Sequence, residues 1–178
     1  KDIVNKPNAR RLNRIPIPVL GGVGVYAGFT AALCACSAIF NIQISMASFA
    51  AITMMLCVGL LDDIKDLSPK TKFIAQILAI LILITCCNLK IDNLYGIFGI
   101  HKIPDYLSIP LTIFACVGLI NAINLIDGID GLSSGYGIAA ATLFCIYGYI
   151  HGNHLNTLIA IATIGALIPF FVYNVFGK

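Results

Sequence analysis

The sequence predicts an all-α, polytopic transmembrane helical bundle, and three observations carry that prediction. The 178 residues are 59% apolar and only 11% charged, with a mean hydropathy of +0.94, whereas a soluble domain is about a quarter charged. No charged side chain occurs between Ile15 and Leu61, a run too long for one helix, since about 20 residues cross the hydrocarbon core. The apolar runs lack strand-like alternation, and only helices or closed barrels satisfy the backbone in lipid. Helices follow.

Six apolar segments can be marked in order. The first, 19–40, follows a Pro-kinked, Gly-rich approach at Pro16–Gly22. The second, 45–61, is separated from it by a polar turn near Asn41–Ser45 and stops at Asp62-Asp63. The third, 73–87, is preceded by Ser68-Pro69, which pairs an N-cap residue with proline at the first helical position. The fourth, fifth and sixth are 106–126, 136–150 and 155–173. The loop 88–105 between the third and fourth holds Gly96, Gly99 and Pro104 and has the makings of a small hairpin. The chain opens at Lys1 without a basic n-region and cleavage site. The expectation is one integral membrane domain over residues 1–178, a fragment lacking an N-terminal span and the C-terminal spans.

Basic residues orient the bundle. Six spans put the N-terminal tail, the 62–72 and 127–135 loops and the C-terminus on one side, with nine lysines and arginines against Lys90 and Lys102 on the other. That side is expected to be cytoplasmic. The chain has no Glu; of its eight Asp residues, Asp62, Asp63, Asp66, Asp127 and Asp130 crowd two loops of that same side. The seven cysteines lie in or beside apolar runs without CxxC spacing and read as small apolar filler. His151-x-x-His154 has helical metal spacing but no third ligand and reads as loop histidines. Gly22-x-Gly24-x-x-Ala27 follows no strand, which excludes a dinucleotide fingerprint. No nucleic-acid partner is expected.

Three stretches could carry chemistry. Asp62-Asp63-x-Lys65-Asp66-Leu67-Ser68-Pro69-Lys70-x-Lys72 sets paired carboxylates among lysines, a combination suited to Mg²⁺ and a phosphorylated ligand; the blander reading is a charged connector. Asn121-x-x-Asn124-x-x-Asp127-Gly128-x-Asp130-Gly131 keeps amides and a carboxylate in one helical sector. A terminal helix cap explains Gly128 there but not the second Asp-Gly, and polar groups at the edge of a bundle are functional candidates. Pro7-Asn8-x-Arg10-Arg11-x-x-Arg14 brings arginine forks suited to phosphate, or else anchors the tail to anionic headgroups.

Taken in order, these stretches resemble the polyprenyl-phosphate N-acetylhexosamine-1-phosphate transferases (glycosyltransferase family 4), in particular the UDP-N-acetylglucosamine:undecaprenyl-phosphate branch. The resemblance covers nearly the whole chain. Asn121-x-x-Asn124-x-x-Asp127-Gly128-x-Asp130-Gly131-Leu132 matches the most distinctive signature, while Asn13 stands where members often carry His. The resemblance implies about eleven spans in the full protein, of which six are here. It also implies a family pattern that continues beyond Asn174 with a Gly-Asp magnesium motif and a His-bearing loop.

The implied reaction moves N-acetylhexosamine 1-phosphate, with N-acetylglucosamine foremost, from a UDP-sugar to polyprenyl (undecaprenyl) phosphate at the cytoplasmic face of the inner membrane, releasing UMP. The implied cofactor is Mg²⁺, with Mn²⁺ able to substitute. Asp62, Asp63 and Asp127 are the expected catalytic residues. Asp62 and Asp127 would serve the metal and diphosphate, and Asp63 would activate the lipid phosphate. Asn121, Asn124 and Asp130 are expected to orient sugar or nucleotide, and Lys65, Lys72 and Arg10 to meet phosphate. Self-association as a homodimer is left open. The competing reading is a transporter or channel module with an aspartate-lined ion path, but transporters place such groups near the bilayer midplane in broken helices, and these acids stand at span ends.

Overall fold

A computed structural model describes residues 21–177. Among the described residues six α-helices run in order: α1 (Gly21–Phe40), α2 (Met46–Lys65), α3 (Pro69–Cys87), α4 (Asp105–Ile126), α5 (Leu132–Ile150) and α6 (His154–Phe176). Each expected segment is a helix, and several extend past the apolar run because capping residues, not hydropathy, fix the ends. Thus α2 continues four residues beyond Leu61 and stops where Asp66 turns left-handed (φ 49) and its N–H returns to the Asp62 carbonyl at 2.8 Å. The start of α3 is as expected: Ser68 accepts from the Thr71 N–H, and Pro69 occupies the first helical position.

Five of the six helices are long and apolar enough to cross a membrane. The expected sixth span, α5, forms a 19-residue helix, but Ser133, Ser134, Gly135, Tyr136 and Gly137 make its first turns more polar than those of its neighbours. Only between 6% and 22% of each apolar window is buried within the protein. The large apolar side chains therefore face outward over most of the helical surface, which only hydrocarbon or further helices can accommodate. This is a multi-pass membrane protein.

Among the described residues, Ser45–Ala122 form one compact unit, and 21–44 with 123–177 form the other. In the first, α2 packs on α3, and the Ser45 and Ser48 hydroxyls lie 3.3 and 3.4 Å from the Cys87 sulfur. Buried Ile80 and Ile84 of α3 meet Val117 of α4. In lipid such contacts gain little from the hydrophobic effect, so dispersion and interhelical hydrogen bonds hold helices together. The hydrogen bonds here sit at both ends of the α3–α4 pair. At one end the Ile91 N–H donates to Thr112 Oγ1 at 2.8 Å and Ser108 Oγ donates to the Ile91 carbonyl at 2.7 Å. At the other, Asn121 Nδ2 donates to Gln76 Oε1 at 3.0 Å.

In the second unit α6 packs on both α1 and α5. Small residues let the backbones approach, as is common in membranes. A Cβ at Gly148 would lie 2.7 Å from Thr157 Oγ1 and 3.0 Å from the Thr157 nitrogen, and backbone cannot yield as a side chain can. Only glycine fits there.

The loop between α3 and α4 is the expected hairpin. Asn93 and Lys102 form an antiparallel bridge, and the Leu94 N–H donates to the His101 carbonyl at 2.8 Å.

Candidate active site

The Asp62-Asp63 pair lies in the last turn of α2 rather than in a loop, which corrects the expected boundary at Leu61. That position opposes the helix dipole, whose negative end disfavours carboxylates by about 0.3–1 kcal/mol. Lys72 in turn stands in the first turn of α3, where a cation is equally misplaced. The two wrongly placed charges meet: Lys72 Nζ lies 2.7 Å from Asp62 Oδ2. Asp62 Oδ1 also accepts the Leu67 N–H at 3.0 Å, which ties the carboxylate to the three-residue connector. The pair is about a third exposed, so it returns no more than about 1 kcal/mol. Helix stability therefore does not account for these charges, whereas binding a charged ligand would. Lys65 ends α2 and complements its dipole, so its presence has a local explanation.

One turn along α3 from Lys72, buried Gln76 bonds Asn121 of α4. Asn121 Nδ2 also donates to the Val117 carbonyl at 2.8 Å, which engages both of its hydrogens. What Asn121 offers a ligand is its carbonyl oxygen. Gln76 escaped sequence reading because a single amide inside an apolar run has no local signature.

The second acidic stretch begins where α4 ends. The Asp127 N–H still donates to the Ile123 carbonyl at 3.1 Å, so Asn121, Asn124 and Asp127 follow one helical sector as expected. Asn124, Asp127 and Asp130 are exposed. Ser133, at the start of α5, donates its hydroxyl to Asp127 Oδ1. The left-handed residue is Gly131 (φ 75), the N-cap of α5, and not Gly128, where a helix cap had been the blander expectation. A Cβ at Gly131 would also strike Val175 and Phe171 of α6. The Gly131 N–H donates to Asn174 Oδ1 at 2.7 Å, so the last turn of α6 clamps the acidic turn. Ser133 and Asn174 were not among the expected site residues; for Asn174 the signal is a pairing across 43 positions that no local pattern reveals.

Each stretch offers a divalent cation solvent-reachable carboxylate oxygens. No group of three or more metal-ligating side chains occurs among the described residues, but Mg²⁺ is commonly held by one or two carboxylates with water and substrate phosphates. The donor chemistry fits. Asp62 and Asp127 fall in different compact units. Arg10 and the rest of the Pro7–Gly22 motif up to Leu20 lie outside the described residues.

Fold and sites together define a class: a helical membrane protein with acidic, amide-bearing turns at its span ends. The family model of glycosyl transferase family 4 matches residues 45–177. The chain belongs to that family. It is 30% identical over 172 residues to a Bacillus subtilis (strain 168) protein named "probable undecaprenyl-phosphate N-acetylglucosaminyl 1-phosphate transferase", covering 96% of this chain and 48% of that one. It is 31% identical to the undecaprenyl-phosphate alpha-N-acetylglucosaminyl 1-phosphate transferase of Escherichia coli O157:H7, over 97% of this chain and 47% of the relative. The decaprenyl-phosphate N-acetylglucosaminephosphotransferase of Mycolicibacterium smegmatis is 31% identical, over 94% and 46% respectively. The chain spans about half the length of the curated relatives it matches. No solved structure matches it.

Proposed function

We propose that this protein takes part in moving N-acetylhexosamine 1-phosphate, N-acetylglucosamine 1-phosphate foremost, from a UDP-sugar to a polyprenyl phosphate such as undecaprenyl phosphate, with release of UMP. The observation that carries the reading is the placement of Asp62 and Lys72 at helix ends where their charge harms the helix, together with exposed Asp127 and Asp130 in the turn between α4 and α5, a set that suits a cation and a phosphate-bearing ligand. The relatives' names point the same way. One substrate is lipid and one is a charged nucleotide, so the chemistry belongs at a membrane face, here the cytoplasmic face of the inner membrane. An ion path would instead favour charges at mid-span.

In this reading an oxygen of the lipid phosphate attacks the sugar-bearing phosphorus, and the bond from that phosphorus to UMP breaks. Phosphoryl transfer depends mainly on positioning and charge neutralisation. Mg²⁺, or Mn²⁺ in its place, would supply charge neutralisation on the diphosphate, with Asp62 and Asp127 as its protein ligands. Lys72 and Lys65, with Arg10 from the N-terminal stretch, would meet phosphate oxygens. Asn124, Asp130 and the carbonyl of Asn121 would orient sugar or nucleotide. Asp63 would activate the lipid phosphate, a modest task because a phosphate monoester is largely ionised at neutral pH.

The test is turnover of UDP-N-acetylglucosamine labelled in the sugar, in membranes carrying the intact protein, with any spans that flank this chain, or its Asp63→Asn variant. Label passing into the lipid phase with UMP release, lost in the variant, is expected. Near-normal turnover in the variant would remove Asp63 from the reaction. No transfer by the unmodified protein, with Mg²⁺ and polyprenyl phosphate supplied, would remove the function.

A further inference from the structure

The hairpin between α3 and α4 has no part in the chemistry above, yet it holds some of the most exposed aromatic side chains of the protein. Phe98 is 93% exposed and Tyr95 is 86% exposed. Both take left-handed backbone angles, φ 55 and φ 51, which bulky residues rarely adopt. The turn is nonetheless tightly bonded. Gly96 N–H donates to the Ile100 carbonyl at 3.0 Å, Gly99 N–H to the Gly96 carbonyl at 2.9 Å, and Tyr95 N–H to Asn93 Oδ1 at 2.7 Å. The fold thus holds these rings outward.

Polarity divides along the hairpin. Its base carries the Lys90–Asp105 ion pair at 2.8 Å and exposed Lys102. Its tip, Tyr95-Gly96-Ile97-Phe98-Gly99-Ile100, carries no charge. The depth of the base is fixed by the bonds from Ile91 to Ser108 and Thr112. At 1.5 Å per residue, these place Ile91 about 5–10 Å along α4 from its first residue. A short extended arm and tight turn reach roughly 15 Å from there. The interfacial layer of a bilayer is about 5–8 Å thick on each side of the hydrocarbon. Even standing upright, the tip cannot rise far above that layer.

We propose that the Tyr95–Ile100 tip inserts into the headgroup–acyl boundary of the leaflet at the α3–α4 turn, as an interfacial anchor. Aromatic rings with neighbouring lysines are the side chains that this boundary selects. Lys102 supplies the cation that complements lipid phosphate. Tyr106, 80% exposed, and Leu107 on the first turn of α4 continue the same apolar belt.

The chain contains no tryptophan, so Phe98→Trp gives a single fluorescent reporter in a conservative change. The protein is reconstituted in phosphatidylcholine vesicles with and without bromine high on the acyl chains. Blue-shifted emission, strongly quenched in brominated lipid and shielded from acrylamide, is the expected result. Water-like emission quenched by acrylamide would overturn the proposal. Protection from both quenchers would overturn it too, because protein rather than lipid would then cover the tip. Should Phe98→Trp change the far-ultraviolet circular dichroism, Tyr95→Trp gives the same reading from the other ring.

Discussion

The two acidic stretches share a residue type and differ in how their carboxylates are held. Asp62 faces a cation, Lys72, from the first turn of the next helix. Asp127 receives a neutral hydroxyl from Ser133, in a turn clamped by Gly131 and Asn174. Among the described residues, one carboxylate therefore meets a cation and the other a neutral hydroxyl. The difference teaches that equal motifs need not have equal roles. In the proposed reaction Asp127 would meet the divalent cation directly, whereas Asp62 would join it only as a phosphate draws Lys72 away.

The strongest way to break this comparison is Asp127→Asn. If Asp127 holds the cation that neutralises charge in the transition state, kcat falls on the order of 10²–10³-fold, as when one electrostatic stabiliser is removed; sugar-labelled turnover assays read this directly. Asp62→Asn should cost less, because Lys72 is thereby released rather than lost. An equal loss from both variants would erase the distinction.

Next comes Gly131→Ala. A side chain there meets Val175 and Phe171 and must take a positive φ, a destabilisation of about 1–3 kcal/mol. Thermal unfolding in detergent should show a lowered Tm. Gly128→Ala has open space around its Cβ and should leave Tm unchanged, so equal shifts would contradict the assignment of the strained position.

Gln76→Leu deprives Asn121 of its interhelical partner. In membranes such hydrogen bonds are worth about 0.6 kcal/mol on average, with a maximum near 1.7. A small Tm loss in that range is expected. The smallest effect belongs to Lys72→Met: its ion pair is partly exposed and contributes under about 1 kcal/mol. Stability should barely move while KM for the UDP-sugar rises, and a stability loss larger than that of Gly131→Ala would make the pair structural.

Much of this was legible in the sequence because lipid imposes a simple code. The charge-free run from Ile15 to Leu61 demanded two spans, and Ser68-Pro69 announced a helix start that the structure reproduces. Helix ends were less legible, since α2 runs on through charged residues until the backbone reverses at Asp66. The acidic stretches could be read from their motifs. Their supports could not, because Gln76 meets Asn121 across 45 positions and Asn174 meets Gly131 across 43. Pairings of that range come from helix packing, which one sequence does not print.

The most direct test puts the intact protein, with any spans that flank this chain, and its Asp127→Asn variant side by side in membranes with polyprenyl phosphate, Mg²⁺ and sugar-labelled UDP-N-acetylglucosamine. Label should enter the lipid phase with one UMP per sugar in the first and almost none in the second, at equal Tm. Equal transfer by both proteins would contradict the account.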